Sequence, residues 1–202
     1  MGIRLALIRH GETVENLAGR WQGRSDSPLT GNGRRQAVAV AGRLKGRGPH
    51  AAIYASPLAR ALETARLVAA VLGPLAVQVD PGLSEYDFGE WDGLTPAELR
   101  ERGFWQAVRQ DARFAPPGGE PFVEAARRVV AALSAIARAH VGGSVVVVGH
   151  GLSLAAGLAL LLRGDPTEAA RYALDNGGMA ELSIAATPRL LAIDFAAACE
   201  LA

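Results

Sequence analysis

The chain has 202 residues, half of them apolar and a fifth charged, with a formal net charge of +1. That is enough chain for one sizeable core, and the charge gives no global reason to expect nucleic acid or an anionic membrane as a partner. The basic residues are twenty arginines and the single Lys45, so an isolated arginine carries little information until a motif places it, and the lone Cys199 rules out an internal disulfide framework.

Ile3–Ile8 reads as a buried strand. Thr30 to Leu44 has helical spacing, with Thr30 or Asn32 as its N-cap. Ala51–Ala55 is a second short strand. Ser56-Pro57 then reads as a helix start, Ser at the cap and Pro in the first turn, and Ala61, Ala65, Val68 and Leu72 continue at helical spacing. Val77–Val79 is a further strand. A loop-like stretch with Gly82, Gly89, Gly93 and Pro96 follows, and two short helical pieces are expected between Pro96 and Asp111. Pro116-Pro117-Gly118-Gly119 is a break. Phe122, Ala125, Val129, Leu133 and Ile136 mark a long amphipathic helix. Four consecutive valines, Val145–Val148, suit a strand buried on both faces. Leu152–Leu162 is helical, and Met179–Ala185 and Leu190–Phe195 are strands around a turn at Pro188. The alternation predicts one α/β domain over residues 1–202, a three-layer α/β/α sandwich with a mostly parallel central sheet, and residues 84–120 as a cap beside it.

Three features fall on one predicted edge. His10-Gly11 follows the first strand, His150-Gly151 follows the valine strand, and Arg60 sits one turn into the helix that follows the Ala51–Ala55 strand. Ligands of open α/β sheets bind beyond the carboxyl ends of the strands. Arg9 and Arg60 offer planar guanidinium forks for a phosphate dianion, and Gly11 and Gly151 allow close backbone approach. Helix N-termini after these glycines add N–H donors. A histidine among such cations is disfavoured as a cation, and neutral imidazole is what a nucleophile requires. Taken singly, each residue has a plainer reading as a loop or solvated side chain. His50 and His140 keep that plainer reading.

The motifs extend beyond this edge. Leu7-Ile8-Arg9-His10-Gly11-Glu12-Thr13 with Asn16 resembles the signature of the histidine phosphatase superfamily, the phosphoglycerate mutase-like proteins. Gln22-Gly23, Asp26, Pro28-Leu29-Thr30, Ser56-Pro57-Leu58 with Arg60-Ala61, the Leu83–Gly93 stretch with Glu85, Pro117–Glu120 and Val148–Gly151 continue the resemblance over roughly residues 4–185. It implies that His10 attacks phosphorus and that Glu85 protonates the leaving oxygen. It also implies that Arg9, Arg60 and His150 hold the phosphoryl oxygens. Asn16 and Gly151 would also touch phosphate, and Gln22 and Gly23 the substrate near the pocket mouth. Neither a metal nor another cofactor is implied.

Within that family the short chain and the Glu85-bearing stretch resemble the broad-specificity and α-ribazole phosphatases. The expectation is a metal-independent phosphomonoesterase acting on a small phosphorylated metabolite. A phosphoglycerate mutase is the alternative, and a non-catalytic phosphate-binding module the third. Trp91, Phe104, Trp105 and Phe114 either line the crevice mouth or pack in the core. Arg100, Arg102, Arg109 and Arg113 either select acidic substrates or are solvated. Ile3–Ile8 is too short for a signal-peptide core and Leu152–Leu162 for a membrane span. A cytoplasmic protein, with a homodimer as the base-rate state, is expected.

Overall fold

The computed structural model describes residues 2–194, so the Phe195 end of the last predicted strand and Cys199 lie outside the described residues. Strand β1 (Ile3–Arg9) opens the fold, followed by the short α1 (Val14–Leu17) and α2 (Gly31–Lys45). Next come β2 (Ala52–Ala55), α3 (Ala59–Leu72) and β3 (Val77–Val79). The short α4 (Pro96–Glu101) and α5 (Phe104–Gln110) lead into the long α6 (Phe122–Ala139). Then β4 (Ser144–Gly149), α7 (Gly151–Arg163), β5 (Met179–Ile184) and β6 (Arg189–Ile193) complete the described chain.

The six strands form one sheet in the order β3-β2-β4-β1-β5-β6. The first four are parallel, whereas β5 runs antiparallel to β1 and β6 to β5. The mostly parallel sheet is therefore as expected, with an antiparallel edge. Side chains alternate across a strand, which explains the valine run. Val146 and Val148 join Ile8 and Ile53 beneath α2 and α3, while Val145 and Val147 join Leu5 and Leu7 against α6 and α7. At the crossing of α6 and α7 the space is so tight that a Cβ on Gly157 would lie 2.5 Å from Val129 Cγ1.

Helix starts show where local reading holds and where it fails. Thr30 caps α2 by accepting from the Gly33 N–H, and Thr95 and Glu98 form a reciprocal capping box on α4. The predicted Ser56 cap is not formed. Helix α3 begins at Ala59 behind Leu58, which has no side chain to cap with. The Asp26 carboxylate reaches from a distant loop to the Ala59 and Arg60 N–H groups instead. Helix α7 repeats the arrangement: His150 precedes it without capping it, and Glu85 accepts from the Leu152 and Ser153 N–H groups. Both strand-following helices thus begin on a carboxylate borrowed from far away in sequence, which compensates their unpaired N–H groups and their dipoles.

Residues 84–120 send Tyr86, Phe88, Leu99, Phe104 and Val108 into the core that α6 and α7 share, while most of the stretch is exposed or half-buried. Tyr86, Phe88, Phe104 and Phe122 form edge-on and tilted aromatic contacts 4.8–6.4 Å apart, with Trp91, Trp105 and Phe114 at the margin. Core packing therefore accounts for the four aromatic residues left open in the sequence. Arg102 lies over the Trp91 ring.

Candidate active site

The register of two strands builds the centre. Arg9 pairs with Gly149 across the parallel β1/β4 ladder, and the His10 N–H donates to the Gly149 carbonyl at 3.0 Å. His10 and His150 consequently leave the sheet side by side, with ring centroids 5.2 Å apart and edge-on. Both are buried, His10 at 3% exposure and His150 at 0%. Burial comes first in holding both imidazoles well below the usual pKa; Arg9 and Arg60 add to it at His10, and Arg60 and His10 at His150. The two rings are neutral near pH 7 for a reason visible in the geometry: proton uptake would place another cation in a dry, electropositive site.

Neighbours assign the His10 tautomer. Its Nδ1 lies 2.8 Å from the Gly11 carbonyl, which can only accept, so Nδ1 carries the proton. The Nε2 lone pair is left for an incoming electrophile. Gly11 is required here because a Cβ would meet the Gly33 carbonyl oxygen at 2.2 Å.

Arg9 donates through NH1 to the Leu174 carbonyl at 2.8 Å, while its buried Nε has no partner. Burial lowers its pKa, and the Glu85 and Asp175 carboxylates oppose that. The guanidinium lies against Gly151, where a Cβ would come within 3.2 Å of it. Arg60, 1% exposed, gives NH1 to the Ser25 carbonyl and Asp26 and NH2 to the Gly23 carbonyl. Its Nε is likewise unpartnered. Gln22 accepts from the Thr13 hydroxyl, leaving its Nε2 without a partner, and His150 leaves its Nδ1 so. Four of the unpartnered buried polar atoms are thus nitrogens of residues singled out for phosphate or substrate contact.

A cavity of about 280 Å³ opens on this centre. His10, Arg9, Asn16, Gln22, Glu85 and Gly151 line it. Arg60, His150 and Gly23 are not among the residues that line it. The Gly23 N–H donates to Asp92 and its carbonyl accepts from Arg60. Asn16 accepts at Oδ1 from the Thr13 N–H and from Asn176. Arg100, Arg102, Arg109 and Arg113 do not line the cavity; Arg20 and Trp21 do, with Phe88, Pro96, Leu152, Leu174 and Asp175.

Glu85 is 6% exposed and enters from the opposite side. It accepts from three backbone N–H groups, those of Tyr86, Leu152 and Ser153, at 2.7–3.1 Å. Its loop is gripped by Arg128 of α6, which donates to the Gly82, Ser84 and Glu85 carbonyls. Glu120 completes the clasp by pairing with Arg128 and accepting from the Asp87 N–H. Sequence reading missed Arg128 in this support, and Arg20, Trp21 and Asp175 in the wall. The capping-type geometry of Asp92, which accepts from Gly23 and Ser25, spans 67–69 residues and has no local signal.

The model of the histidine phosphatase superfamily (branch 1) matches residues 5–191. A bifunctional protein of Mycobacterium tuberculosis (strain ATCC 25618 / H37Rv) is 44% identical over 149 residues, 73% of this chain and 41% of that protein, so the chain spans less than half the length of this relative. A probable phosphoglycerate mutase GpmB of Yersinia pestis (strain Pestoides F) is 39% identical over 175 residues, 84% of this chain and 79% of that protein. The structure of mycobacterial glucosyl-3-phosphoglycerate phosphatase in complex with VO3 superposes with a TM-score of 0.84 at 34% identity, covering 96% of this chain and 99% of that one. Sequence, fold and strand-end geometry agree, and the chain belongs to the histidine phosphatase superfamily.

Proposed function

We propose that this chain is a phosphomonoesterase that transfers a phosphoryl group from a small ester to His10 and then to water. The observation that carries the reading is the set of buried, unpartnered nitrogens on Arg9, Arg60, His150 and Gln22 around a histidine whose free lone pair is on Nε2. Unpaired buried donors are costly, and an oxyanion is the ligand that repays several at once. That the similar mycobacterial phosphatase forms a complex with VO3 supports an oxyanion as the kind of ligand.

In the first step the His10 Nε2 lone pair attacks phosphorus and the bond from phosphorus to the ester oxygen breaks. The leaving oxygen takes the proton carried by Glu85. Positive charge developing on the His10 ring is shared through Nδ1–H to the Gly11 carbonyl, and the guanidinium and His150 donors hold the equatorial oxygens. In the second step the Glu85 carboxylate takes a proton from water, whose oxygen attacks phosphorus. Orthophosphate leaves, and His10 and protonated Glu85 are restored. The positive charge that offsets the phosphoryl group comes from side chains of the chain itself.

The test is steady release of orthophosphate from p-nitrophenyl phosphate, unaffected by a chelator and lost in His10→Ala. Full activity in His10→Ala removes the mechanism. The relative with a mutase name favours a second reading, transfer back to a phosphorylated sugar acid. Conversion of 3-phosphoglycerate to 2-phosphoglycerate, stimulated by a bisphosphate primer, would establish that reading instead. The phosphatase reading predicts that the primer changes nothing.

A further inference from the structure

The two strand-end histidines are neutral neighbours, yet their hydrogen bonds are opposite in sense. His10 has an acceptor, the Gly11 carbonyl, on Nδ1, whereas His150 has its partner on Nε2, the Ser56 Oγ at 2.7 Å. Ser56 and His150 are both fully buried. Ser56 Oγ also receives the Leu58 N–H at 3.3 Å, and its own backbone N–H is bonded to the Val148 carbonyl. The hydroxyl therefore sits with one acceptor role filled and one proton to place.

Two arrangements are open to this pair. In one, the Ser56 O–H donates to the Nε2 lone pair and the His150 proton is on Nδ1. The only unmet group is then the Nδ1–H. In the other, Nε2–H donates to Ser56, which leaves both the serine O–H and the Nδ1 lone pair buried without partners, since Nδ1 has none. The second arrangement strands two groups where the first strands one. It would also turn a lone pair, rather than a donor, toward any anion that Nδ1 meets.

We propose that Ser56 is a positioning residue that locks His150 in the Nδ1–H tautomer, so that the neutral ring is a hydrogen-bond donor while its neighbour His10 is a bare nucleophile. The same assignment explains why Ser56 does not cap α3: its hydroxyl is committed to His150, and Asp26 takes over the helix start. The tautomer follows from the geometry alone. Its kinetic consequence rests on the phosphatase reading.

The experiment is two-bond proton–nitrogen NMR of the full chain labelled with ¹⁵N, with the His150 signals assigned by their loss in His150→Gln. The expected spectrum has the pyrrole-type nitrogen at Nδ1. In Ser56→Ala the expected result is a mixture of tautomers, with kcat/KM for p-nitrophenyl phosphate lower by about 10- to 100-fold, the range for one hydrogen bond to a charged group. Ser56→Thr keeps the hydroxyl and restores both readouts. A pyrrole-type Nε2 in the wild-type chain overturns the proposal, as does an unchanged Nδ1–H population in Ser56→Ala. Where Ser56→Ala does not fold, the wild-type and Ser56→Thr spectra decide. A chain that hydrolyses no ester sinks the phosphatase reading, and the spectra still decide the tautomer.

Discussion

The His10 side and the Glu85 side of the cavity are built by different means. His10 and His150 stand at adjacent strand ends, placed by a six-residue parallel register that runs from Arg4↔Ser144 to Arg9↔Gly149. Glu85 sits in a segment without regular strand or long helix, and is placed by long-range bonds from Arg128, Glu120 and the start of α7. The first arrangement is set by a continuous ladder that cannot shift by one residue without exchanging the side chains that face its two cores. The second depends on a few side chains, each of which can be removed singly. Catalytic geometry on the acid side should therefore be easier to loosen without unfolding the protein.

The largest effect expected is on the nucleophile itself. His10→Ala should lower kcat/KM for p-nitrophenyl phosphate by at least about 10⁴-fold, as removal of a covalent nucleophile does elsewhere, with the denaturation midpoint little changed or raised. Next is a break in the backbone of the acid segment. Gly89 has φ +53°, and a Cβ there would lie 2.2 Å from the Pro117 carbonyl oxygen, whereas Gly93, at φ +83°, has open space. Gly89→Ala should cost about 3 kcal/mol in urea unfolding and Gly93→Ala about 1 kcal/mol. Equal costs would mean that the close approach to the 117–119 turn does not hold this segment.

Arg128→Met tests the clasp directly. It should reduce kcat by about 10- to 100-fold while changing phosphate affinity much less, because Glu85 loses its position and the phosphate donors do not. Arg128→Lys, which cannot reach three carbonyls at once, should be intermediate. A loss of phosphate affinity alone would contradict the division of the site into two supports.

The pH dependence of stability probes the opposite side. Both buried histidines titrate well below 6.5 in the folded state, so the unfolded chain takes up protons first as the pH falls. Stability is then lost as pH drops through about 6.5, by up to about 1.4 kcal/mol per pH unit for each histidine until the folded rings protonate. Urea midpoints between pH 7 and 5 should show this slope, and His150→Gln should reduce it. The smallest effect belongs to a local device: Thr95→Ala removes the α4 capping box and should cost about 1 kcal/mol without changing kcat.

Much of this molecule was legible in local pattern. The Thr30 cap, the valine strand, the periodicity of α6 and the two short helices after Pro96 all lie where spacing and capping residues put them. The Ser56 cap was misread because Ser-Pro before a helical run is a valid local signal, and a histidine 94 residues away competes for the hydroxyl. The aromatic residues of the 91–114 stretch were ambiguous for a related reason: composition alone cannot say whether a ring meets ligand or core.

By itself the sequence determined the alternation of elements, the two-faced burial of the central strand and the residue types of the phosphoryl site, since these depend on periodicity and motif within a few turns of chain. Only the tertiary structure decided that β4 lies beside β1, which is what makes His10 and His150 neighbours. It also decided that Arg60 is bonded to the Ser25 and Gly23 carbonyls, and that Arg128 holds the Glu85 loop. Those outcomes depend on strand order and on hydrogen bonds between residues tens of positions apart. Such pairings are selected by the packing of the whole core, so no local segment encodes them.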